Sequence, residues 1–143
     1  MTTELTCQDR VKTHLKSRIS DLGLLFRSWQ DGEEGTVKDT DGQEIGNFNE
    51  YGLCFDYVAP GTFNNQKRGY FRYQLSTGGP GDEFRFYTDE NLNPTRIEYW
   101  FLDWFDGAKI NLKGKDKALM LEIWESFKEC EVVDSAFKKA MED

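Results

Sequence analysis

The sequence predicts an α+β fold: an N-terminal helix, a five-stranded antiparallel meander sheet, and two C-terminal helices packed on one face of it. Three observations carry this. Apolar residues recur at helical spacing over residues 4–30 and again over 115–141. Between these segments the pattern changes to strict alternation, the signature of half-buried strands. And 15 of the chain's 21 aromatic residues fall between Tyr51 and Phe105, in short runs split by polar residues and turn formers. At 143 residues the chain reads as one domain over 1–143, with room for a single sizeable core.

In residues 4–30, Val11, Leu15, Ile19, Leu22, Phe26 and Trp29 follow steps of four, four, three, four and three, which keeps them on one helical face. Arg10, Lys12, Lys16, Arg18 and Arg27 are expected on the solvated back. From Asp31 to Glu50 the composition changes: seven acidic residues meet one lysine, and four glycines punctuate the run. This acidic segment reads as a loop within the domain, or as a short hairpin turned by Asp41-Gly42.

Strands are expected at 51–58, 69–76, 83–88, 96–105 and 108–112, joined by short turn-rich connectors that favour antiparallel pairing of chain neighbours. Asp106-Gly107 carries the strongest two-residue hairpin signal. Period two then sorts the faces. Phe71, Tyr73, Leu75, Phe84, Phe86, Ile97, Tyr99 and Phe101 make a core face. Tyr70, Arg72, Gln74, Glu83, Arg85, Tyr87, Arg96, Glu98, Trp100 and Leu102 make a mixed face of charges and aromatics. Helical spacing returns at 115–129 (Leu119, Met120, Ile123, Trp124, Phe127) and, after a break near Cys130, at Val133, Phe137 and Met141.

Composition removes several classes of function. The net charge of −8 argues against direct nucleic-acid binding by phosphate neutralisation. No apolar run is long enough to span a membrane, and the N-terminal residues lack a secretory apolar stretch. Cys7, Cys54 and Cys130 are odd in number and far apart, which fits free thiols in the reducing cytoplasm.

Candidate chemistry is sparse. The single histidine, His14, has no second histidine to pair with, and the cysteines lack metal spacing. Gly78-Gly79-Pro80-Gly81 lacks the Lys and Ser/Thr of a phosphate-binding loop. Asp39, Asp41, Gln43 and Glu50 occupy oxygen-donating positions of a calcium loop, but Glu44 stands where that loop needs glycine and a strand is expected to follow. Asp56, Glu98, Asp103 and Asp106 are not paired by spacing. No catalytic residue, metal or cofactor is therefore assigned. The mixed sheet face stands out: Arg and aromatic side chains are enriched at protein interfaces, so Tyr70, Arg72, Arg85, Tyr87 and Trp100 are the expected partner-binding residues.

The runs GLCFDYVAPGTF (52–63), GYFRYQLSTGGPGDEFRFY (69–87) and IEYWFLDWFDGA (97–108) resemble small uncharacterised proteins carried on bacterial mobile elements such as plasmids, integrated elements and phages. That resemblance implies an accessory role, such as inhibition of a host defence or DNA-handling protein. The expected function is thus a non-enzymatic module that binds another protein, with acidic surface offered to a basic site. The alternative is a small-ligand-binding or enzyme domain with a pocket between sheet and helices, lined by Tyr57, Tyr73, Tyr99 and Trp124.

Overall fold

The computed structural model describes residues 7–78, 80–103 and 106–142. Helix α1 (Cys7–Gln30) leads into a small antiparallel hairpin, β1 (Val37–Lys38) with β2 (Glu44–Gly46), and a single-turn helix α2 (Phe48–Tyr51). The main sheet runs β3 (Cys54–Val58), β4 (Tyr70–Ser76), β5 (Gly81–Thr88), β6 (Pro94–Asp103) and β7 (Asp106–Asn111). Its five strands lie in chain order, each antiparallel to the next. Helices α3 (Gly114–Glu129) and α4 (Val132–Met141) follow. The α+β arrangement read from the alternation is the observed one.

Alternation also sorted the faces correctly. Phe71, Tyr73, Leu75, Phe84, Phe86, Ile97, Tyr99 and Phe101 are all buried and share one core with Val11, Leu15, Leu22, Leu25 and Phe26 of α1 and Met120, Ile123 and Trp124 of α3. Helix α1 lies against β6 and β7, α4 against β3, and α3 touches α1, α4 and β6. Trp124 sits at the centre, with the rings of Phe71 and Phe86 at 5.1 and 5.0 Å. Aromatic pairs at such distances add about 0.5–1.5 kcal/mol beyond the area they bury.

One polar cluster lies inside this core, and spacing did not reveal it. Arg18, expected on the solvated back of α1, turns toward the sheet. It donates from Nε and Nη2 to Asp82 at 2.7 and 3.0 Å and from Nη1 to the Tyr51 hydroxyl at 2.8 Å. Asp82 also accepts from the Tyr99 hydroxyl at 2.6 Å and from Ser76 Oγ at 2.5 Å. Burial alone would raise the Asp82 carboxyl, but Arg18, Ser76 and Tyr99 outweigh it and hold the group below its ordinary 3.8. Burial, with Asp21 accepting its proton, pushes the Tyr51 hydroxyl up to about 12 although Arg18 pulls the other way. The cluster ties α1 and α2 to the β4–β5 turn and fixes where the helix sits on the sheet.

Other boundaries moved for identifiable reasons. The strand expected from residue 51 begins at Cys54, because Asn47 caps a helical turn (its Oδ1 accepts from Glu50 N at 3.0 Å) and Tyr51 is drawn to α1. The acidic segment therefore ends in a helical turn rather than running straight into a strand. Asp106 and Gly107 are not a turn: they pair with Asp103 and Leu102 inside the ladder. Trp104 and Phe105, between β6 and β7 in the chain, lie outside the described residues. The acidic segment forms the short hairpin, with Asp39 rather than Asp41 as its organiser. Asp39 Oδ1 accepts from Asp41 N and Gln43 N, both at 2.9 Å.

Candidate partner-docking face

The sheet face away from the helices is built by register. In β4 and β5, Arg72 lies directly opposite Arg85; in β5 and β6, Arg85 opposes Glu98, Glu83 opposes Trp100 and Tyr87 opposes Arg96; Trp100 in turn opposes Lys109 of β7. Two arginines side by side would repel, and each is neutralised separately. Arg72 makes two hydrogen bonds to Asp56, at 3.0 and 2.7 Å, while Arg85 Nε donates to Glu83 Oε2 at 2.7 Å.

The cations also lie on rings. The Arg85 guanidinium carbon is 3.9 Å from the Trp100 ring centroid and 4.6 Å from that of Tyr70. Arg96 and Arg68 approach the Tyr87 ring at 4.3 and 5.5 Å, and Lys109 Nζ lies 5.5 Å from Trp100. Each such contact contributes about 0.5–2 kcal/mol, more where water is excluded. Stacking a guanidinium flat on a ring leaves its N–H edges available to planar anions.

Beneath the cations lies Glu98, 1% exposed, which accepts from Trp100 Nε1 at 3.0 Å and is approached by Lys109 and Arg96 at 3.2 and 3.3 Å. Burial would raise its carboxyl, yet these three partners hold it below its ordinary 4.5. It is the buried anion that keeps three cationic and aromatic side chains in place.

The loop 59–69 lies over one end of this face. Gln66 staples it: its backbone N–H donates to Phe63 O, its Oε1 accepts from Phe63 N at 3.0 Å, and its Nε2 donates to Arg68 O at 2.8 Å. Where the chain re-enters the sheet, a Cβ at Gly69 would overlap the Tyr57 hydroxyl, so any larger residue there would have to displace the Tyr57 ring from Phe71 and Phe137. Val58, Tyr70 and Tyr87 form a separate small apolar cluster on this side of the sheet. Between loop and sheet runs a groove of about 490 Å³. Its lining includes Lys67, Arg68, Arg85 and Arg96 and contains no carboxylate. In a chain of net charge −8 this is a local reversal of sign.

Of the residues singled out from sequence, Tyr70, Arg85, Tyr87 and Trp100 all line that groove. Tyr70 and Tyr87 do so from beneath, at 3% and 8% exposure, while Trp100 and Arg85 are half-buried. Arg72 stands outside it, locked to Asp56. Alternation missed Phe63, Lys67 and Arg68 because they lie in the loop; the Lys67-Arg68 pair between two strands was the available signal.

Tyr57, Tyr73, Tyr99 and Trp124, the residues of the alternative pocket, do not converge. Tyr99 and Trp124 are fully buried in the core. Tyr73 borders a cleft of about 270 Å³ beside Cys54 and Cys130, and Tyr57 borders a different one of about 290 Å³. Cys54 opens the edge strand opposite Gln74 and is exposed; its thiol, raised by partial burial and then by Asp56, donates to Gln74 Oε1. His14 is exposed on α1 and stacks on Phe101 at 4.4 Å. Among the described residues no group of three or more His, Cys, Asp or Glu is placed to hold a metal ion, and no helix is long and apolar enough to cross a membrane.

No family model matches this chain, and comparisons with curated proteins and with solved structures found no match.

Proposed function

We propose that the protein is a non-enzymatic, cytoplasmic binding module that engages another protein through the outer face of its sheet. In the accessory setting implied by its resemblance to mobile-element proteins, the partner is a host defence or DNA-handling protein that it inhibits. One observation carries this reading: a pre-ordered groove in which cations lie on aromatic rings, with no carboxylate in its lining. Arg, Trp and Tyr are the residue types that anchor protein interfaces. Nucleic acid is not the direct ligand on this reading, because Glu83 and Glu98 already engage Arg85 and Arg96 and the whole chain repels polyanions.

A second reading is favoured by the acidic segment 31–50, which offers the exposed carboxylates of Asp31, Glu33, Glu34, Asp41, Glu44 and Glu50 to a basic partner site. Cross-linking mass spectrometry in host cells separates the two. Cross-links from the partner should map to residues 63–68 and 94–100 and disappear in a Phe63→Ser, Arg68→Ser variant that still unfolds cooperatively, its melting temperature lowered by a few degrees at most for the lost Arg68–Tyr87 contact. Cross-links confined to 31–50, and lost in Glu33→Ser, Glu34→Ser, would favour the second reading instead.

A further inference from the structure

We infer that the groove under the 59–69 loop is a receptor for a short acidic peptide segment, with a carboxylate held by Lys67 and Arg68 and an apolar side chain seated on Phe63. This rests on the proposed docking role of the outer face and adds the chemistry of what docks there.

The charge account identifies the anion's place. Arg85 and Arg96 each give their Nε to a carboxylate of the sheet, Glu83 and Glu98. Lys67 and Arg68 have no carboxylate within ion-pair distance among the described residues, yet they sit side by side on a loop whose backbone is already fixed by Gln66. The ordering cost of that loop is met before any ligand arrives, which is the condition for affinity from few contacts.

Ring accounting separates a peptide from a nucleic acid. Single-stranded nucleic acid is held by successive free ring faces on which bases stack. Here Tyr70, Tyr87 and Trp100 already carry guanidinium or ammonium groups. Phe63, 51% exposed at the groove, is the large aromatic left open, enough for one apolar anchor and not for a ladder of bases. Asn64 and Asn65 add side-chain amides that make no hydrogen bond among the described residues and suit a peptide backbone. The groove is an open channel of about 490 Å³ between the loop and the sheet, a shape that takes one extended segment of the partner.

The test is fluorescence anisotropy on the full chain with a short fluorescein-labelled peptide of glutamates around one phenylalanine. Wild type should bind it in a salt-sensitive manner and ignore the same peptide with lysine for glutamate. Lys67→Ser with Arg68→Ser should weaken binding by about tenfold or more, the loss expected for charge-assisted hydrogen bonds. Phe63→Ser should weaken it separately and melt with wild type, while the Lys67/Arg68 variant, which gives up the Arg68–Tyr87 contact, should stay folded and melt lower by a few degrees at most. No binding to the glutamate peptide, binding unchanged in the Lys67/Arg68 variant, or tighter binding to a single-stranded oligothymidine would each overturn the inference. Failure here with partner cross-links still on the outer face removes the acidic-peptide chemistry alone; cross-links absent from that face remove the docking role.

Discussion

Removing the carboxylate of Asp82 should destabilise the protein more than any change on its surface, because four hydrogen bonds end on it. The group is 4% exposed and accepts from Arg18 twice, from Tyr99 and from Ser76. In Asp82→Ala the Tyr99 hydroxyl, on a fully buried residue, loses its acceptor, at about 1–3 kcal/mol. Breaking a buried ion pair from one side costs about 3–5 kcal/mol, and Arg18, whose side chain is 24% exposed, recovers part of that from water. The expected loss near neutral pH is therefore about 3–4 kcal/mol, or roughly 6–16 °C in melting temperature for a domain of this size. The sign with pH follows from the direction of the shift. The folded-state carboxyl lies below its ordinary 3.8, so its stabilisation is complete above that value and disappears as pH falls through the folded one. The gap between wild type and Asp82→Ala should then narrow in acid, by the part of the loss that the lowered carboxyl contributes. Urea denaturation followed by tryptophan fluorescence, at neutral and acid pH, measures both. A neutral-pH loss below about 1 kcal/mol, or a gap that persists unchanged in acid, would refute the clamp and leave only a cavity cost.

Three further outcomes follow from the same structure. Gly69→Ala should lower stability by about 1–3 kcal/mol in thermal unfolding, since its methyl would overlap Tyr57. Leu92 occupies the left-handed position (φ 63°) of a turn whose counterpart in the first hairpin is Gly42 (φ 82°). Leu92→Gly should therefore stay within about 1 kcal/mol of wild type in urea denaturation, relief of strain offsetting the loss of a half-buried side chain. Limited proteolysis should cut first between Asp31 and Thr36, an exposed run outside regular structure, while the sheet stays protected; first cleavage within 70–103 would contradict the fold's hierarchy of stability.

Elements with a strong period were legible in the sequence. Phe71, Tyr73, Phe84, Phe86, Ile97 and Tyr99 were assigned to the core by alternation alone, because a one-residue slip would expose them all. What stayed hidden depends on partners distant in the chain. Arg18 sits three residues after Leu15 and looks like the edge of a polar face; its partner Asp82 is 64 residues away. The Asp106-Gly107 turn propensity was overruled by register, since pairing Ala108 with Phe101 and Ile110 with Tyr99 places both residues inside β7. At the candidate site, period two put Tyr70, Arg85, Tyr87 and Trp100 on one face. It could not show that the intervening loop, held by Gln66 among others, lies along them, or that the two tyrosines are buried with Val58 under arginines.

The central claim is that the outer sheet face is the docking surface. Amide hydrogen exchange on the wild-type chain, alone and with its cross-linked partner, tests it most directly. Protection should appear in the 59–69 loop and in the ends of β4, β5 and β6 that line the groove, leaving α1, α3 and α4 unchanged. Protection confined to the helical layer or to residues 31–50 would contradict it.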